Sequence, residues 1–69
     1  MTKKELAYMY YDFRPGITPQ PKSIVAHLMR MIKGTDGLLS ELYKYGYVDT
    51  SQYFTPKQVQ IIYKYLGEP

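Results

Sequence analysis

Cysteine is absent from this chain of 69 residues, and histidine occurs only once. Neither a disulfide framework nor a thiolate zinc site can therefore form, and a single histidine cannot build a metal centre. Because no apolar run of about seven residues or more follows the basic start, we expect neither a signal peptide nor a membrane-spanning helix. The composition predicts a cytoplasmic protein that has no metal, no cofactor and no membrane partner.

Catalytic sequence patterns are also missing. The six acidic residues are scattered, without a paired-carboxylate motif, and the five glycines form no phosphate-binding loop. No arrangement of serine and carboxylate near His27 suggests a catalytic triad, so we expect its imidazole to be solvated on a polar helix face. The sequence predicts a protein that is not an enzyme and that has no small-molecule substrate.

Aromatic residues are abundant for so short a chain, with nine tyrosines and two phenylalanines, and the net charge is +3. Tyrosine combines an apolar ring with a polar hydroxyl, so it can cover a thin core while the hydroxyl stays in water. The same rings can stack on nucleic-acid bases or on a protein partner. Composition leaves both roles open, and the modest positive charge permits an anionic partner.

The strongest local signals predict a helix that begins after Thr55 and ends at Gly67. The Thr55 hydroxyl can cap the first turn, and Gln58 completes a capping box with it. Phe54 and Val59 have the spacing of a hydrophobic staple, and Gly67 suits the left-handed conformation that ends many helices. This segment defines a fold far better than it defines a function.

Another capping box marks the first helix. It begins at Thr2, which pairs with Glu5, and it ends near Tyr11. Residues 14–20 then form a loop, because prolines and a glycine prevent a helix through them.

Two more helices lie between this loop and the last helix. The second begins near Pro21 and ends at Lys33, with Gly34 as its terminating residue. Asp36 is a candidate cap for a short third helix, which Gly46 ends. The pattern predicts an all-α single domain, a compact bundle of four short helices. Its core is expected to contain Leu6, Met9, Leu28, Ile32, Leu42, Val59, Ile62 and Leu66.

The second helix has two faces of different character. At about 100° per residue, its large apolar side chains fall on one side of the helix. The opposite face carries Lys22, Ser23, Ala26, His27, Arg30 and Lys33. No acidic residue occurs between Asp12 and Asp36, so this face is basic without internal neutralisation.

One functional hypothesis is DNA binding. The first two helices would form a helix-turn-helix in which Lys22, Ser23 and His27 approach base edges. Arg30 and Lys33 would contact phosphates. The connection between the two helices is about twice as long as the turn of about 3–4 residues that this motif uses. A basic face that is merely solvated is the alternative explanation of the same residues.

A second hypothesis is a protein-interaction module, either a homodimer or an adaptor for another protein. Ile61 and Tyr65 lie outside the apolar stripe of the last helix, so we expect them to form an interaction surface. Exposed tyrosines would enlarge it together with Met29 and Met31, since Tyr and Met are enriched at interfaces. The two hypotheses are compatible, because many small DNA-binding domains act as dimers.

Several motifs of the chain resemble those of one family. They are K-x-E-L-A near the start, P-K-S-x-V-A-x-L-x-x-x-I in the middle, and F-T-P-K-Q-V followed by L-G-E-P at the end. In this order they resemble a set of short bacterial proteins that are grouped as a domain of unknown function. The resemblance implies a compact, mostly helical bacterial protein with no assigned activity. It carries over no catalytic or binding residue.

Overall fold

A computed structural model describes residues 1–69, and its regular structure is helical. The helices are α1 (Lys3–Tyr10), α2 (Pro21–Gly34), α3 (Leu38–Lys44) and α4 (Pro56–Leu66). The only strand-like pairing is one isolated antiparallel bridge between Thr2 and Tyr53. The predicted all-α architecture of four short helices is therefore confirmed. None of these helices combines the length and the apolar character that crossing a membrane requires.

α1 and α4 begin with the same hydrogen-bonded cap. The Thr2 hydroxyl accepts a hydrogen bond from the Glu5 amide at 3.0 Å, and the Glu5 carboxylate accepts one from the Thr2 amide at 2.9 Å. Thr55 and Gln58 repeat this arrangement at 3.2 and 3.0 Å. Each box satisfies two backbone donors that would otherwise lack a partner. Both predicted capping boxes are confirmed.

α1 and α4 are tied together at both ends. Next to the bridge, the Lys3 amide donates to the Gln52 carbonyl at 2.8 Å, which joins the start of α1 to the segment that leads into α4. At the other end, the Tyr10 hydroxyl donates to the carbonyl of Gly67. Gly67 ends α4 with a φ of 85°, as the sequence predicts. The two helices therefore run in the same direction, and the bridge between Thr2 and Tyr53 joins the residues that precede them.

The turn between α2 and α3 differs from the prediction. Gly34 is the last helical residue of α2 and is not left-handed, and the Thr35 amide donates to the Ile32 carbonyl at 3.3 Å. Gly37 occupies the cap position of α3 with a φ of 84°, a conformation that glycine takes without steric cost. Asp36 is left one residue outside the cap. Gly34 thus ends α2 as its last helical residue, one position after the predicted end at Lys33, whereas the prediction of Asp36 as a cap is wrong.

A short connection joins α2 to α3, but not α1 to α2. Three residues, 35–37, separate α2 from α3, whereas ten residues, 11–20, separate α1 from α2. A helix-turn-helix uses a turn of about 3–4 residues. The predicted helix-turn-helix of α1 and α2 is therefore not confirmed. The helix that does follow a short turn, α3, has only seven residues and carries the acidic Glu41.

The core contains twelve buried apolar residues, contributed by all four helices and by the segment between α3 and α4. They are Leu6, Ala7, Ile24, Leu28, Ile32, Leu38, Leu42, Tyr47, Phe54, Val59, Ile61 and Ile62. Leu66 is only half-buried against this core, and the prediction of Met9 as a core residue is wrong, because Met9 is 47% exposed. Lys3, Leu6 and Ala7 form the buried side of α1, and their spacing along the helix turns Met9 away from the core.

Lys3 is an unexpected residue of the interior. Its ammonium group donates to the Tyr47 hydroxyl at 2.9 Å, and the two residues are 7% and 3% exposed. The Tyr47 ring stacks on Phe54, with ring centroids 5.4 Å apart, and on Tyr43 at 5.9 Å. The ammonium group also lies 5.1 Å from the Tyr47 ring centroid, but the hydrogen bond is the closer and more directional contact. The start of α1 is thus held by an aromatic residue 44 positions later.

Candidate nucleic-acid interface

The polar face of α2 lies on the outside of the fold. Ile24, Leu28 and Ile32 pack into the core from one side of the helix. The exposed residues on the other side are Lys22, Ser23, Ala26, Arg30 and Lys33, which we call the basic face. The predicted division of α2 into an apolar and a basic face is confirmed. Four of the five residues predicted to contact nucleic acid therefore share one open surface.

No acidic side chain pairs with the basic face. α2 contains no acidic residue, and the one ion pair of the structure joins Arg14 to Asp12, with Nε and Oδ2 3.9 Å apart. Lys22, Arg30 and Lys33 therefore have no carboxylate partner. Three unpaired cations on a helix of 14 residues produce a positive potential that attracts anions.

His27, the fifth predicted contact, lies at the edge of the basic face and is half-buried. Its ring meets Tyr11 edge-on, with a centroid distance of 5.3 Å and an interplanar angle of 76°. The Nδ1 atom is buried, and no protein group forms a hydrogen bond with it. The imidazole is therefore only partly solvated, because the chain after α1 packs Tyr11 against this ring.

The chain around the end of α1 brings together the exposed rings of Tyr8 and Phe13 and the half-buried ring of Tyr11, which we call the aromatic cluster. Phe13 stacks on Tyr8, with centroids 5.9 Å apart and planes 15° apart, and it contacts Tyr11 edge-on at 4.9 Å. Phe13 is 51% exposed and Tyr8 is 36% exposed. No sequence motif predicts this cluster, although the crowding of four aromatic residues into positions 8–13 is a signal for it.

A shallow cleft of about 280 Å³ lies beside the aromatic cluster. Its lining residues are Tyr11, Asp12, Arg14, Ile17 and His27. The side chains of Arg14 and Asp12 are 74% and 86% exposed, so water screens their ion pair and the pair is weak. The Arg14 guanidinium can therefore turn towards an anion. The cleft is near the lower size limit of ligand pockets, which suits one planar group or one phosphate.

Ile61 and Tyr65 do not form the interaction surface that the sequence predicts. Ile61 is 3% exposed and belongs to the core. Tyr65 is half-buried, and its hydroxyl donates to the Glu41 carboxylate of α3 at 2.8 Å. The prediction is wrong because α3 packs against the flank of α4 that a single chain was expected to leave uncovered.

Displaced pKa values mark contacts outside the basic face. The hydrogen bond to Asp49 raises the pKa of Tyr43, and the hydrogen bond to Glu41 raises the pKa of Tyr65. Burial raises the pKa of Tyr10 to about 12. None of these groups lines the cleft, and no three acidic or histidine side chains lie together as metal ligands would. This candidate interface therefore offers positive charge and aromatic rings, without a metal-binding cluster.

One known family matches the chain. The family described as "Domain of unknown function (DUF4248)" covers residues 1–69. No curated protein and no solved structure matches the chain significantly. Because the family match spans all four helices and the basic face, the chain belongs to the DUF4248 family, a domain of unknown function.

Proposed function

We propose that the protein binds nucleic acid through the basic face of α2. The observation that carries the proposal is the exposure of Lys22, Arg30 and Lys33 on a helix without any acidic residue. Phosphate contacts from lysine and arginine supply nearly all of the non-specific affinity for nucleic acids. Because α2 is held in the fold by its apolar side, its charged side chains are available to a phosphate backbone.

The residues of α2 divide into two roles in this proposal. Arg30 and Lys33 contact phosphates, while Lys22 and Ser23 near the start of the helix approach the bases. His27 supports the interface from its edge by packing on Tyr11. A reducing cytoplasm, which the cysteine-free composition favours, is a compartment in which such a protein would meet nucleic acid.

The test is binding to a labelled nucleic acid, followed by fluorescence anisotropy over a range of salt concentrations. The variants compared are Lys22→Glu/Arg30→Glu/Lys33→Glu and a control of equal net charge, Lys44→Glu/Lys57→Glu/Lys64→Glu, whose three lysines are exposed elsewhere. If three cations each neutralise one phosphate, log K falls with log salt at a slope of about −2 to −3.

We expect the α2 variant to lose this binding and the control variant to keep most of it. Equal losses in the two variants would show that net charge alone is responsible, which contradicts a site on α2. Absence of binding by the unmodified protein at low salt would refute the proposed function.

A protein-interaction module is the second candidate function, and exposed side chains between α3 and α4 favour it. Tyr45, Val48 and Tyr53 are 44%, 56% and 66% exposed. Tyrosine is enriched at protein interfaces, and a mainly apolar contact responds little to salt. Sedimentation velocity over a range of concentrations tests the homodimer, and a monomer at every concentration would exclude it.

A further inference from the structure

We propose that the nucleic acid is single-stranded and that its bases stack on the aromatic cluster of Tyr8, Tyr11 and Phe13. This inference rests on the proposed function, because the basic face of α2 supplies the phosphate contacts. Its own basis is the position of exposed rings beside that face, joined to it by the contact between Tyr11 and His27.

The aromatic cluster holds a flat ring surface open to solvent. Tyr8 and Phe13 lie in planes only 15° apart, and Tyr11 contacts Phe13 with its ring centroid 4.9 Å away at an interplanar angle of 63°. Phe13 is therefore held on two sides while half of it stays exposed. Ile17, which is 59% exposed, adds apolar surface at the cleft. Exposed apolar surface of this kind marks interaction sites in soluble proteins.

The aromatic cluster reaches the basic face through an unbroken series of contacts. Phe13 contacts Tyr11, and Tyr11 packs against His27, with ring centroids 5.3 Å apart. On α2, His27 is one helical turn from both Ser23 and Arg30, because side chains three and four residues apart are neighbours on a helix. A strand whose phosphates follow the basic face therefore has its bases within reach of the aromatic cluster.

Arg14 brings a further positive charge to the same place. It follows Phe13 directly in the chain and lines the cleft together with His27. The acidic group at the cleft is Asp12, whose exposed ion pair with Arg14 is weak. A guanidinium group can bind a phosphate with two parallel hydrogen bonds or stack on a base, so Arg14 suits either part of a nucleotide.

Ring stacking distinguishes a single strand from a duplex. In a duplex the bases stack on each other, whereas unpaired bases are free to stack on aromatic side chains. α2 also follows a connection of ten residues, so the usual helix-turn-helix entry into a major groove has no support here. A second copy of this chain suits the surface poorly, because it would bring the same uncompensated positive charge.

The experiment compares the binding of a labelled oligothymidine and of a labelled duplex of equal length, by fluorescence anisotropy at fixed salt. Tyr8→Ala/Phe13→Ala removes the stacked pair, and both side chains lie outside the core. Tyr45→Ala/Tyr53→Ala is the matched control, since both tyrosines are exposed elsewhere. Phe13→Trp keeps an aromatic ring at this position and tests whether aromatic character is what the binding requires. Circular dichroism checks that each variant is folded.

We expect the protein to bind the single strand more tightly than the duplex. Loss of the stacked pair should weaken single-strand binding by about fivefold or more, whereas the control and Phe13→Trp should bind as the unmodified protein does. The salt slope should not change in Tyr8→Ala/Phe13→Ala, because no cation is removed.

Four other outcomes would overturn the inference. Tighter duplex binding, or single-strand binding that is unchanged without the stacked pair, would leave the proposed function standing and remove the single-strand assignment. Self-association that requires the aromatic cluster and competes with the oligonucleotide would assign the cluster to a second copy. Absence of binding to both nucleic acids would overturn the proposed function as well.

Discussion

Lys3 should be unusually important for stability, because its buried ammonium group has a single polar partner. The Tyr47 hydroxyl, 2.9 Å away, is its hydrogen-bond acceptor. In Tyr47→Phe the ring keeps its stacking on Phe54 and Tyr43 while the acceptor disappears. A hydrogen bond to a charged group contributes about 1.5–3 kcal/mol. Because the flexible lysine can move partly towards water, we expect the free energy of unfolding to fall by about 1–2 kcal/mol.

A double-mutant cycle isolates this contact. Lys3→Met replaces the lysine by an apolar side chain of similar length and removes the charge. Tyr47→Phe should therefore lower the free energy of unfolding much less in that background than in the native protein. Urea denaturation followed by circular dichroism gives the free energy of unfolding of each variant. A loss of about 1–2 kcal/mol also corresponds to a fall in Tm of about 5–15 °C for a domain of this size. Lys4→Met, at an exposed position of α1, should change the unfolding free energy by less than about 0.5 kcal/mol.

The result that would refute this reasoning is a Tyr47→Phe variant as stable as the native protein. A coupling energy of zero in the cycle would have the same meaning. Either result would show that the Lys3 ammonium group is hydrated in solution and does not depend on the Tyr47 hydroxyl.

Two further predictions concern a helix cap and a titration. Thr55→Ala should lower the free energy of unfolding by about 1 kcal/mol in urea denaturation, whereas Thr50→Ala, at an exposed position, should leave it unchanged. Burial, followed by the proximity of Tyr63 and Glu68, raises the pKa of Tyr10 to about 12, above the value of about 10 for an unfolded tyrosine. The folded state therefore binds this proton more tightly, so its contribution to stability is complete below about pH 10 and is lost as the pH rises through about 12. Tyr10→Phe should reduce this alkaline loss of stability, and a spectrophotometric titration in which every tyrosine ionises near pH 10 would contradict the assignment.

The starts of α1 and α4 are predictable because their signals are local. A capping box involves residues within one helical turn, so Thr2 with Glu5 and Thr55 with Gln58 can be recognised without knowledge of the fold. The start of α3 is different. Gly37 caps it in a left-handed turn between two packed helices, and no local pattern favours this residue over the neighbouring Asp36.

Burial is harder to predict than helix position. Ile61 lies outside the main apolar stripe of its helix, yet it is buried because α4 is covered on more than one side. Met9 is expected in the core but is exposed, because the buried side of α1 consists of Lys3, Leu6 and Ala7. A helical pattern shows which residues share a face, but the partner helices decide how much of the circumference is covered.

The candidate interface divides in the same way. The exposure of Lys22, Arg30 and Lys33 follows from the pattern of α2, because the apolar residues on its other side must face the core. For the aromatic cluster, the sequence shows only that aromatic residues are crowded into positions 8–13, and not that their rings meet beside α2. The cluster forms because the chain leaves α1 in an extended conformation at Tyr11 and brings that ring against His27 of α2.

The sequence by itself determined where α1 and α4 begin, that α2 has a basic face, and that the fold is all-α. These features depend on hydrogen bonds within one turn and on the period of the helix. The tertiary structure alone decided that Lys3 is buried against Tyr47, that Ile61 and Tyr65 are covered, and that aromatic rings stand beside α2. Such contacts join residues far apart in the chain, so they depend on how complete helices pack together.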